Sequence, residues 1–123
     1  MLNWDDYPNF ERHEFDSADE VGSGDNMNPM FMELLQCARD VSGIPFKINS
    51  GYRTKKHNEK VGGVSDSSHT KGFAADIDCD NDAERFTIVC SLLAAGFTRI
   101  GISKSFIHVD NDPDKNEDRI WVY

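Results

Sequence analysis

Two imidazoles and one carboxylate stand in this sequence where a metal centre needs them. His69 lies in Ser67-Ser68-His69-Thr70-Lys71-Gly72, a turn bounded by Ser and Gly, and Asp76 follows seven residues later inside the apolar run Phe73–Cys79. A second imidazole, His108, sits among β-branched and aromatic neighbours in Phe106-Ile107-His108-Val109-Asp110. Two His and one Asp, each on or beside a strand, form a ligand set that holds a catalytic zinc and leaves one position open for water. The residues therefore imply zinc-assisted hydrolysis. The plainer alternative is three polar groups closing a hydrogen-bond network. Nucleophilic catalysis has less support: Ser68 adjoins a ligand, but no base remains to activate it.

The elements that must position these groups follow from period and punctuation. Asn28 as N-cap, Pro29 at the first helical position and Gly43 as C-cap delimit a helix with the apolar stripe Phe31, Leu34, Leu35, Ala38 and Val41. Ile44–Asn49 alternates as a strand does, Ser50-Gly51-Tyr52-Arg53 turns the chain, and a short helix is expected over 54–60, ending at Gly62-Gly63. In the strand Phe73–Cys79, period two sends Ala75, Ile77 and Cys79 to the core and Asp76 and Asp78 to a cleft. Asn81-Asp82-Ala83-Glu84 reads as a capping box before a second long helix. Its expected buried stripe is Phe86, Val89, Cys90, Leu93 and Ala94, and Gly96 ends it. Strands over 99–102 and 106–110 follow, joined by Ser103-Lys104-Ser105. The same parity puts His108 and Asp110 on one face and Ile107 and Val109 on the other. A charged loop over 111–118 leads to a last strand, Arg119–Tyr123. Hairpin-like strands and helices without βαβ regularity predict an α+β fold with a small antiparallel sheet flanked by helices.

The totals bound the rest. A length of 123 residues supports one domain, with residues 1–27 expected as an irregular segment pinned to it by Phe10 and Phe15. A net charge of −9 argues against nucleic acid or an anionic membrane as partner. No apolar run approaches the roughly 18 residues that a membrane span needs. The start, Met1-Leu2-Asn3-Trp4-Asp5-Asp6, is unlike a signal peptide, so the chain is expected to be cytoplasmic as synthesised. Cys37, Cys79 and Cys90 lack a C-x-x-C spacing and are expected as reduced core residues. His13 and His57 read as surface residues, and Tyr52 as packing.

Taken together, Ser68-x-His69-x-x-Gly72-x-Ala74-x-Asp76, preceded by Ser50-Gly51-Tyr52-Arg53 and Val61-Gly62-Gly63 and followed by Phe106-Ile107-His108-Val109-Asp110, resembles the zinc D-Ala-D-Ala carboxypeptidase family. That family includes bacterial peptidoglycan carboxypeptidases and endopeptidases and phage endolysins, and the hedgehog signalling domain shares its fold. The likeness runs from about Phe10 past His108. It implies one zinc per chain on His69, Asp76 and His108, with Arg53 and Ser68 contacting a peptidoglycan peptide; the plainer reading of Arg53 is a structural arginine paired with Asp76 or Asp78. A monomer that acts at the cell wall after release, or within a phage particle, is the matching expectation. One departure stands out. Several members carry a carboxylate general base three residues before the last His, where this chain has Ser105. Asp110 is then the nearest candidate base, competing with a role as support for a ligand imidazole. A non-catalytic, zinc-stabilised domain of the same fold is the alternative.

Overall fold

The computed structural model describes residues 2–123. Among the described residues five strands form one sheet in the order β1-β2-β4-β3-β5: β1 Ile48–Ser50, β2 Ala74–Asp78, β3 Arg99–Ile102, β4 Phe106–Asp110 and β5 Arg119–Val122. All neighbours are antiparallel except β3 and β5, which run parallel. The long helices α1 (Pro29–Ser42) and α3 (Asp82–Ala95) pack against each other, and the short α2 (Lys55–Lys60) lies between β1 and β2 in sequence. This is an α+β domain, as the sequence predicts.

The helix ends form where the capping residues stand. Asn28 Oδ1 accepts from the Phe31 amide at 3.0 Å, and Gly43 closes α1 at φ 67°. Asn81 Oδ1 accepts from the Glu84 amide, but the Glu84 carboxylate reaches back to the Asp80 amide, one residue earlier than a capping box requires.

The core face of the sheet follows the parity argument. Ala75, Ile77 and Cys79 of the β2 run and Ile107 and Val109 of β4 are fully buried with Ile100. The segment before α1 is more ordered than expected. It forms three short 3-10 turns, Trp4–Asp6, Arg12–Phe15 and Ser23–Asn26, and gives Tyr7, Phe10, Phe15 and Met27 to the core.

Four further expectations are corrected. The strand over Ile44–Asn49 shrinks to Ile48–Ser50. Pro45 has no amide to donate, and the register breaks between Ile48 and Ser50, although the Lys47 carbonyl still accepts from Asp78. The buried side of α3 is not the Phe86 stripe. Ile88, Ser91 and Leu92 are buried, while Phe86 is 73% and Leu93 46% exposed. Both stripes have helical spacing, and Ser91 can join the buried one because its hydroxyl donates to the Thr87 carbonyl at 2.6 Å. On α1, Val41 is 58% exposed, whereas Met32 and Gln36 are buried beside Phe31, Leu35 and Ala38. Finally, all three cysteines are free, but only Cys79 is in the core; Cys37 and Cys90 are exposed.

Candidate metal centre

His69 is delivered by backbone. It occupies a 3-10 turn, Ser68–Lys71, opened by the Ser67 hydroxyl on the His69 amide and closed by Gly72 at φ 80°. A side chain at Gly72 would also run into the Asn26 carbonyl, so the glycine serves both conformation and close approach. The Ser50–Arg53 segment lies along this turn, with the Arg53 amide donating to the His69 carbonyl. His69 Nδ1 faces the Gly51 carbonyl oxygen at 2.7 Å. A carbonyl only accepts, so Nδ1 carries the proton and the Nε2 lone pair is left for the cleft.

His108 is delivered by the sheet. The register aligns Ser50 with Asp76, Asp76 with His108, His108 with Gly101, and Gly101 with Trp121. One row thus crosses all five strands on the face opposite the core. Within it Asp76 Oδ1 lies 3.0 Å from His108 Nδ1 and 3.3 Å from His69 Nε2. The far nitrogen, His108 Nε2, meets Asp110 Oδ2 at 2.7 Å, and Asp110 Oδ1 accepts from Arg99 Nε at 2.7 Å and from the Asp112 amide at 3.3 Å.

The charges respond to these contacts. Burial would raise the Asp76 carboxyl, but the hydrogen bond from His108 and the close approach of His69 outweigh it and hold the group well below the usual carboxylate range. Burial would lower His108, yet its bonds to Asp110 and Asp76 raise it above an ordinary imidazole. Asp110 is likewise held low against its burial by His108 and Arg99.

His69, Asp76 and His108 each offer one donor atom, and all three atoms lie within 4.8 Å of one another. They meet in a cleft of about 400 Å³, also lined by Arg53, Ser68, Arg99, Trp121 and Tyr123. The donor chemistry fits zinc: two imidazole nitrogens, one carboxylate oxygen and an open side, where a structural zinc site would close with a fourth protein ligand.

The other expected site residues are also here, and the pairing of Arg53 with Asp76 that the sequence allows is present. Arg53 donates from Nε to Ser50 Oγ, from one terminal nitrogen to Asn58 Oδ1, and from the other to Asp76 Oδ2 at 3.5 Å. Ser68 Oγ donates to Asp112 Oδ2 at 2.7 Å. Asp78 turns instead towards Asn49 at the edge of the sheet. His13 is exposed, as expected, and His57 is half-buried.

Sequence reasoning misses Arg99, Asn58 and Asp112. Asn58 accepts from Arg53, donates to the Val64 carbonyl, and stands where a side chain at Gly63 would collide with it. The Val61-Gly62-Gly63 motif is the available signal for that contact.

The three donors thus form an open group on a mostly antiparallel sheet that could hold a metal ion. The peptidase M15 family model matches residues 8–110, most of the chain, and the protein belongs to that family of zinc-dependent metallopeptidases. No curated protein sequence matches the chain. Among the described residues, no helix is long and apolar enough to cross a membrane.

Proposed function

We propose that this metallopeptidase hydrolyses peptide bonds of bacterial peptidoglycan, at a D-alanine-containing bond of the stem peptide or cross-bridge. The convergence of His69 Nε2 and His108 Nδ1 on Asp76 Oδ1, in an open cleft that all three residues line, carries the reading. The family membership and the motifs around these residues supply the substrate class. The resemblance of His108-Val109-Asp110 to phage-type members supports a phage or prophage lysin, acting as a monomer at the wall after release.

His69, Asp76 and His108 would hold one zinc, which when bound polarises the scissile carbonyl and acidifies water. The protein's own residues do the rest. Gly51 and Asp110 fix which nitrogen each imidazole presents. Arg53 has five N–H donors and commits three of them within the protein. The remaining two can hold a substrate carboxylate or the oxygen on which charge develops. The Ser68 hydroxyl already donates its hydrogen bond to Asp112, so it offers the substrate only an acceptor.

For Asp110 we propose the positioning role. Both of its oxygens are engaged, and one of them holds His108 by the nitrogen that faces away from the other donors. The general-base role, which the sequence also allows, is the alternative outcome tested below.

One observation favours a second reading, a zinc-stabilised domain without turnover. Among the described residues lining the cleft the only carboxylates are Asp76 and Asp110, and both are bonded. Metal content does not separate the two readings; turnover does. Purified peptidoglycan incubated with the zinc-loaded protein should release new muropeptides, and none should appear with His108→Ala. Absence of cleavage by a fully metallated protein would leave the binding-domain reading. With an active protein, Arg53→Lys should keep zinc and lower kcat/KM at least tenfold, about 1.4 kcal/mol, because an ammonium cannot reproduce the guanidinium fork. Unchanged kinetics would make Arg53 a purely internal tie.

A further inference from the structure

The strand β5 lies beyond the residues matched by the family, yet it forms one wall of the cleft. Its placement depends on a gap in the sheet. In the row that carries Asp76 and His108, the next position is Gly101, and beyond it comes Trp121. A Cβ at Gly101 would stand 2.6 Å from Trp121 Nε1 and 2.8 Å from Tyr123 Cε2. The glycine's missing side chain is therefore the space into which the indole leans. Through it the Trp121 ring comes within 5.5 Å of the His108 ring, at 50° between planes. Tyr123 wedges the arrangement from beyond, its ring 5.2 Å from Phe106.

Trp121 touches the other end of the same chain of contacts. The Arg99 guanidinium carbon sits 5.0 Å from the indole centroid, within cation–π range, and Arg99 Nε bonds Asp110, which bonds His108. One aromatic ring thus rests against both the imidazole and the cation at the two ends of a buried relay. Without it, water would reach the Asp110 bonds and compete for them, and the imidazole would lose a packed surface that restricts its rotation.

We propose that Trp121 is a positioning residue of the metal centre: seated in the gap at Gly101, it holds His108 and the Arg99–Asp110 pair in the orientation that binds the metal. The proposal rests on the metallopeptidase reading of this site but needs no turnover to test it. The chain has two tryptophans, Trp4 and Trp121. In a Trp4→Phe background the remaining indole reports from beside His108. Titration with cobalt(II) should quench its fluorescence with the same midpoint as metal uptake.

Trp121→Ala should weaken zinc by roughly 10–100-fold, the range seen when a partner that orients a metal ligand is removed. Trp121→Phe should restore most of that loss, because a ring still fills the gap. Gly101→Ala provides a second route if Trp121→Ala folds poorly. It leaves the indole in the chain but pushes it out, and should weaken zinc and diminish the quenching together. A parent protein that binds zinc, with Trp121→Ala and Gly101→Ala folded and equal to it in affinity, would overturn the proposal alone. A parent that takes up no metal would overturn the metallopeptidase reading and this proposal with it.

Discussion

The two imidazoles of the centre are held by opposite means. His69 stands on a 3-10 turn and is fixed by a neutral backbone acceptor, the Gly51 carbonyl. His108 stands on the middle of a sheet and is fixed by a charged side chain, Asp110, itself tied to Arg99. A carbonyl sets the tautomer without adding charge. A buried carboxylate sets it and also makes the imidazole more basic. One imidazole thus leans on a neutral partner and the other on a charged one, and the two supports should fail differently.

Removing a ligand erases the contrast and should have the largest effect. His69→Ala leaves two donors, and metal and activity should be lost together. Metal analysis of the purified variant checks this, and full zinc occupancy would show that His69 is not a ligand.

Cutting the charged support comes next. Asp110→Asn should weaken zinc by roughly 10–100-fold, with activity partly restored by added zinc, if Asp110 positions His108. If Asp110 is instead the general base, zinc affinity should stay close to the parent's while turnover falls by about 10²–10⁴. Zinc titration and turnover on one preparation distinguish these outcomes.

The backbone support cannot be cut by trimming a side chain, so it is tested by adding one. A Cβ at Gly51 would lie 2.7 Å from the Phe15 backbone and ring, both fully buried. Gly51→Ala should cost about 1–3 kcal/mol of stability, typical of overpacking. Zinc affinity should fall only as far as the Gly51 carbonyl moves. Denaturant unfolding of the metal-free protein measures the first effect and zinc titration the second. Undiminished stability would mean that the Phe15 segment moves aside easily.

The same contrast decides how much of the centre is legible in the sequence. His69 and its support lie in short contiguous motifs, so Ser67–Gly72 and Ser50–Arg53 can be read as units. Parity makes β2 and β4 legible too, because period two works within a single strand. The support of His108 is assembled across strands. Arg99 reaches Asp110 from β3, and Trp121 reaches His108 over Gly101 only because β5 joins in parallel beside β3. Pairing register is not written in any one strand. On α3 the difficulty is different: two apolar stripes share one helix, and only tertiary packing selects Ile88 and Leu92 over Phe86 and Leu93.

The smallest expected effect is a graded one, and it follows from the imidazole with the charged partner. In the metal-free protein His108 Nδ1 faces Asp76 and Nε2 faces Asp110, so the imidazole carries both protons and its pKa is raised despite burial. A group raised in the folded state adds stability that is fully present below its unfolded value of about 6.5 and is lost as pH rises through the folded value. Without metal, the protein should therefore become less stable over that window. Metal affinity should run the other way. His108 must release its Nδ1 proton for that nitrogen to act as a donor, so affinity should rise about tenfold per pH unit below the folded pKa and level off above it. His69, whose Nδ1 meets only a carbonyl, has no comparable charged partner on its far side. Asp110→Asn should accordingly move the inflection to lower pH while leaving its slope near one proton. Zinc titrations across pH, in parent and variant, measure both. An inflection that stays in place after Asp110→Asn would mean that Asp76 alone sets the basicity of His108, and that the two imidazoles differ less than their supports suggest.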